Sequence, residues 1–178
     1  MLLKYKLKQN DYFQLNLFRF KEENSLNKII FKNALTWTVI FLVIVSAFIF
    51  NDEWFFSILI GFIGVIIIIR TSFQVKKQYS KTLLDHTKIY KNKFNEELSL
   101  EITDEYIKAI TNERETVTNI SQIQKIIETK DYYYINLNPE IVIIPKSEIE
   151  NQDLINTELH KLAERLKIEF QNKLDWKW

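Results

Sequence analysis

Two apolar runs separated by three residues constrain this chain more than anything else in it. Ala34 to Phe50 reads ALTWTVIFLVIVSAFIF and Trp54 to Ile69 reads WFFSILIGFIGVIIII, seventeen and sixteen residues without a charge. At about 1.5 Å per residue each helix would span roughly 25 Å, the lower end of what a bilayer core requires. Eleven residues of the first run and twelve of the second are Leu, Ile, Val or Phe. At about −0.3 to −0.6 kcal/mol apiece they favour insertion by several kcal/mol. A helix apolar on every face needs lipid or a large protein core around it, and a chain of 178 residues has little to offer as the latter. A cleaved leader is disfavoured, since the first run begins more than thirty residues in and a second follows at once.

Only Asn51, Asp52 and Glu53 join the runs, so the sequence predicts a tight antiparallel hairpin over 34–70, with spans at 34–50 and 54–69. Residues 1–33 carry seven basic and three acidic side chains. Arg70, Lys76, Lys77 and Lys81 follow the second run, whereas the connecting turn has no basic residue. The positive-inside rule then places both termini in the cytoplasm of a bacterial inner-membrane protein. Lys32 and Arg70 are expected to snorkel to the inner headgroups, Lys76 and Lys77 to lie against the same leaflet, and Trp54 to mark the outer boundary. Ser57, Gly61 and Gly64 on the second run are expected to face Ser46 and Ala47 on the first, because small residues let helices approach closely in lipid. The same spacing would also serve packing between copies.

The flanking segments read as soluble structure. Leu3, Tyr5 and Leu7 alternate with Lys4, Lys6 and Lys8, the mark of a half-buried strand. Asn10 or Asp11 then looks like the cap of a helix running from Tyr12 to Asn33. Residues 71–97 read as a basic juxtamembrane helix continuing the second span. From residue 98 the period changes to two: LSLEIT (98–103), YIKAIT (106–111), ETVTNI (115–120), QKIIET (124–129), DYYYINL (131–137) and EIVIIP (140–145) read as six strands. Pro145 ends the sheet because it cannot donate to a ladder. Ile155, Leu159, Leu162, Leu166 and Phe170 fall at helical spacing over 152–170. The expected fold is therefore an α+β membrane protein. A two-helix transmembrane hairpin carries a cytoplasmic antiparallel β-barrel or half-barrel over 98–178, closed by a C-terminal helix, with the strand at 3–8 a candidate seventh member.

The opening KYKLKQNDYF (4–13), the helical hairpin, and above all IQKIIETKDYYYINLNPEIVIIPKSEI (123–149) with its IPK element resemble the YcxB-like family of bacterial membrane proteins. Asn119 stands where the family pattern has a Trp. The resemblance implies a pleckstrin-homology-like domain anchored to the membrane, and it brings no activity and no catalytic residues.

Direct inspection finds little chemistry. The chain has no Cys, which excludes disulfides, thiolate metal sites and a cysteine nucleophile. Its only two glycines lie inside the second apolar run, so no Gly-rich phosphate loop is available. His160 and Glu164 are one helical turn apart, but no third metal ligand is suggested. His86, Ser121 and Ser147 have no triad partners. No cofactor is implied. The net charge of +1 suggests no nucleic-acid partner, and residues 98–178, with ten basic and fifteen acidic side chains, argue against general binding to anionic headgroups. The closing LDWKW (174–178) suits a membrane interface or a frayed tail. The expected function is a non-enzymatic inner-membrane protein whose cytoplasmic domain binds or scaffolds a protein partner. Beyond lipid and that partner, homo-oligomers are a further option. The alternative is an immunity protein that neutralises a toxin from a competing bacterium.

Overall fold

The computed structural model describes residues 1–23 and 25–177. It divides into two units, one formed by residues 1–16 with 86–178 and the other by residues 17–85. Trp178, the last residue of the aromatic tail, lies outside the described residues.

The first unit holds eight strands in two four-stranded sheets. In one, β1 (Leu2–Lys6), β2 (Glu97–Ile102), β3 (Tyr106–Ile110) and β4 (Glu115–Asn119) follow in sequence order, all antiparallel. The N-terminal strand thus joins the distal sheet, with Leu3 opposite Leu100 and Tyr5 opposite Leu98. Its period-2 pattern is the reason: Tyr5 and Leu7 are buried while Lys4 and Lys6 are exposed. The second sheet has the order β7-β6-β5-β8, from β5 (Ile123–Thr129), β6 (Tyr132–Leu137), β7 (Ile141–Pro145) and β8 (Glu169–Lys173). Asn119 turns the chain between the sheets. Its side-chain oxygen accepts from the backbone N–H of Ser121 at 2.9 Å and starts a 3-10 turn.

The barrel expected from the six strands does not close; the strands form two separate sheets. Nor is every pair antiparallel, because β8 lies parallel to β5, with Ile127 opposite Gln171. The early end of the helix expected over 152–170 accounts for the second correction. Helix α4 runs Gln152–Leu166 and stops on Lys167, which adopts a left-handed conformation. The Lys167 N–H reaches the Glu164 carbonyl and the Ile168 N–H the Ala163 carbonyl, a Schellman closure made without glycine. Phe170, counted on the helical stripe, instead sits in β8 and stacks on His160, ring centroids 3.6 Å apart. The rest of the stripe behaves as its spacing demands. Ile155, Leu159 and Leu162 are buried, and Leu100, Ile126, Ile127, Tyr134, Ile135 and Ile144 complete a core with essentially no exposure. Each such side chain stabilises the fold by about 1.5–3 kcal/mol on burial.

The second unit is helical. Helix α1 (Gln9–Glu22), which begins in the first unit, ends there, and a new helix α2 (Ser25–Phe50) carries the first apolar run. The single helix expected from Tyr12 to Asn33 is therefore two. Helix α3 (Trp54–Thr87) is unbroken from the second run through the basic segment, and a 3-10 stretch (Lys88–Lys93) follows it. Asp52, left-handed at φ 57°, reverses the chain between α2 and α3, and the Glu53 N–H returns to the Phe48 carbonyl at 3.0 Å. A short polar residue tolerates that conformation where a branched one does not. The rings of Phe48 and Phe56 lie 6.2 Å apart and those of Phe20 and Tyr79 5.3 Å apart, in antiparallel succession along the unit. Both α2 and α3 are long and apolar enough to cross a membrane. Ile58, Phe62, Leu42 and Val43 are each more than 60 % exposed.

Candidate functional site

In the first unit, the turn between β5 and β6, the corner after β7 and the start of α1 enclose a polar cleft of about 630 Å³. Its construction begins with strand β5, where Glu128 and Thr129 fall on positions that are buried on both faces. A carboxylate there needs a partner. Glu128 receives one from Lys146, just past β7: the ammonium lies 2.6 Å from Glu128 Oε1 and 4.6 Å from the centre of the Tyr133 ring. Both side chains are about nine-tenths buried, so the pair holds the β7 corner against β5. The Lys146 N–H donates to the Asp131 carbonyl at 2.9 Å, and Gln152 Nε2 donates to the Lys146 carbonyl at 3.0 Å. Thr129 Oγ1 accepts from the Tyr132 N–H and donates to the Tyr132 carbonyl, closing the turn.

The opposite wall is built by α1. Asp11 sits in the first helical turn and is not the cap itself. One of its oxygens accepts from the Lys8 N–H at 2.7 Å, which satisfies a free donor at the helix start. The other accepts from the Tyr132 hydroxyl at 2.9 Å, across 121 residues of sequence. Burial, reinforced by the Asp11 charge, raises the Tyr132 hydroxyl well above the ordinary tyrosine range. Lys8 Nζ meets Glu148 Oε1 at 2.6 Å, and that bond holds the ammonium above its usual value. Lys130, Asp131 and Ser147 stand exposed at the rim. Each buried charge is thus matched by a partner inside the cleft, while the rim offers a cation, a carboxylate and a hydroxyl to whatever approaches. Such a site can hold and orient a polar surface.

The residues selected from sequence lie elsewhere. Lys32, Trp54, Arg70 and Lys77 are exposed on α2 and α3, and Lys76 is half-buried. Of the small residues, Gly64 makes the close approach: a Cβ there would come within 2.8 Å of the Phe41 ring. Gly61 has open space where its Cβ would be, Ser57 is buried, and Ser46 and Ala47 are exposed. His86 is exposed. Among the described residues no cluster of three His, Asp or Glu side chains is placed to hold a metal. Sequence reasoning did not select Asp11, Glu128 or Lys146 as site residues. The available signal was Glu128, a carboxylate that follows Ile126 and Ile127 in a strand.

Residues 102–159 match the family model described as YcxB-like protein. Over that stretch the chain is similar to the YcxB-like family. No curated protein and no solved structure matches the chain. The YcxB-like segment covers about a third of the molecule, narrower than the resemblance implied, since the opening 4–13 and the apolar hairpin fall outside it. It contains the whole ETKDYYYI turn, the IPK element and Gln152 of the cleft, whereas Lys8 and Asp11 are contributed from outside it.

Proposed function

We propose that α2 and α3 form a hairpin through a bacterial inner membrane with both termini in the cytoplasm, and that the two-sheet unit is a pleckstrin-homology-like module that binds a protein partner without catalysing a reaction. The observation that carries this reading is the contrast in burial. Large apolar side chains on α2 and α3 are left bare, while the sheets enclose a complete core of their own. In water the bare surface would far exceed what a soluble monomer tolerates. Helix α3, at 34 residues and roughly 51 Å, is longer than a bilayer core and would carry Lys76, Lys77 and Lys81 to the inner headgroups. Setting aside α1 to α3, which stand between β1 and β2, the order of four strands, then three, then a helix supports a pleckstrin-homology-like module, with β8 an addition. Internally matched charges in the cleft, with a mixed polar rim, suit recognition of a protein surface better than proton transfer.

The test has two arms. Reporter fusions at the carboxyl end should be active only in the cytoplasm. Affinity purification of the detergent-solubilised chain should recover a stoichiometric protein partner, and Lys130→Glu should weaken that recovery. A periplasmic reporter signal overturns the orientation. Purification without a partner under several growth conditions overturns the binding role.

A further inference from the structure

Strand β1 ends its sheet, and only one of its edges is used. Met1 and Ile102 exchange both backbone hydrogen bonds, at 2.7 and 2.8 Å, so the antiparallel alternation makes Leu3 and Tyr5 the next bonded partners of β2. Leu2, Lys4 and Lys6 therefore turn their N–H and C=O groups away from the sheet. Among the described residues their backbones make no bond outside the β1–β2 ladder. Beside this edge lies a groove of about 440 Å³, walled by β1 and by the Glu148–Ile155 segment. Leu154 on the first turn of α4 is 55 % exposed in that wall, and Ile149 is half-buried next to it.

We infer that this groove binds an extended segment of a partner protein, paired as an additional strand along β1, in which acidic residues alternate with apolar ones. The inference rests on the protein-binding reading and names the place and the chemistry. Lys4 and Lys6 stand exposed on the outer face of β1, two residues apart, where an added strand presents every second side chain. Opposite charges across a strand pair attract and like charges repel. The two lysines thus favour carboxylates and disfavour a second copy of β1, which would set lysine against lysine. The intervening side chains of the added strand point to the other face, where Leu154 and Ile149 offer apolar contact. Glu150 at the same wall disfavours acids on that face and so fixes the alternation.

The full chain in detergent is titrated with fluorescent hexapeptides, one alternating glutamate with valine and one alternating lysine with valine, and binding is read by anisotropy. The acidic peptide should bind about tenfold or more tightly than the basic one. The exchange Lys4→Glu with Lys6→Glu should invert that preference, and an N-methylated acidic peptide should lose binding because the strand bonds are gone. Lys4→Gln with Lys6→Gln serves if the reversed chain does not fold, and should level the two peptides. Equal binding of both peptides by the native chain overturns the inference, as does undiminished binding of the N-methylated peptide. So does a dimer whose formation blocks the peptide, which would make a second copy the occupant. A cellular partner recovered equally by native and charge-reversed chains, with peptides that do not discriminate, leaves the protein-binding reading standing without this groove. Discriminating peptides without a recovered partner do the reverse.

Discussion

Strand β5 and helix α3 are built from the same kinds of side chain and treat them in opposite ways. In β5, Ile126 and Ile127 have no exposure at all; in α3, Ile58 is 67 % exposed and Ile66 51 %. Strand residues reach both faces of their sheet and find protein on each, so apolar character there is answered within the chain. The helices have side chains all round, and along their apolar runs most of that surface is left bare, to be answered by something else. The same isoleucine is therefore a fold determinant in one place and, on the membrane reading, a solvent choice in the other.

The largest effect that tests this contrast comes from the buried pair. Glu128→Gln leaves the Lys146 ammonium buried without its carboxylate and should destabilise the sheet unit by about 3–5 kcal/mol, whereas Glu128→Leu with Lys146→Met should come close to the native value. Chemical denaturation followed by tyrosine fluorescence measures both. A double variant no better than the single would mean the pair does more than offset its own desolvation.

Next in size is the isoleucine comparison itself. Ile127→Ala should cost about 2–5 kcal/mol by the same measurement, since nothing fills the space it leaves. Ile58→Ala should change the denaturation of the sheet unit by less than about 0.5 kcal/mol. Similar losses at both positions would break the distinction between the two regions.

Within the helices, a smaller effect separates the two glycines. Gly64→Ala places a Cβ 2.8 Å from the Phe41 ring and should cost about 1–3 kcal/mol unless the ring gives way. Gly61→Ala meets nothing within 4 Å and should be neutral or favourable by up to about 1 kcal/mol, because alanine is the better helix former. Thermal unfolding in detergent reads both. Spacing alone made these glycines equivalent; the ring on the facing helix makes them different.

That difference illustrates what could be read in advance. Periodicity located both apolar helices, the strands from β2 to β7, and the opening strand, because each rests on a pattern of neighbouring residues. What escaped was set by distant groups. The end of α4 at Lys167 carries no glycine to announce it, and β8 contains one large apolar residue, Phe170, in a segment that continues a helical stripe. The cleft was hidden for the same reason: Asp11 and Tyr132 meet across 121 residues, and neither has a local motif. Only Glu128, acidic directly after two isoleucines of β5, hinted that a partner had to exist.

The smallest effect is a pH dependence at that cleft. Burial and the Asp11 carboxylate raise the Tyr132 hydroxyl above its unfolded value of 10.0. Below pH 10 the group is neutral in both states, and its contribution to stability is complete. As pH rises past 10 the unfolded tyrosine gives up its proton while the folded one keeps it. The folded state then binds more protons than the unfolded state, and stability falls with pH. Tyr132→Phe removes the bond to Asp11 and should cost about 1–2 kcal/mol at pH 7. It also removes the titrating group, so the gap between native and variant chains should narrow as pH climbs above 10. Tyr5, buried with its hydroxyl donating to the Ile143 carbonyl at 2.9 Å, is raised in the same direction and stays in both chains. The residual slope of the variant therefore includes its contribution. A gap that stays constant from pH 7 to 11 would show that Asp11 and Tyr132 do not hold the two walls of the cleft together through the hydroxyl.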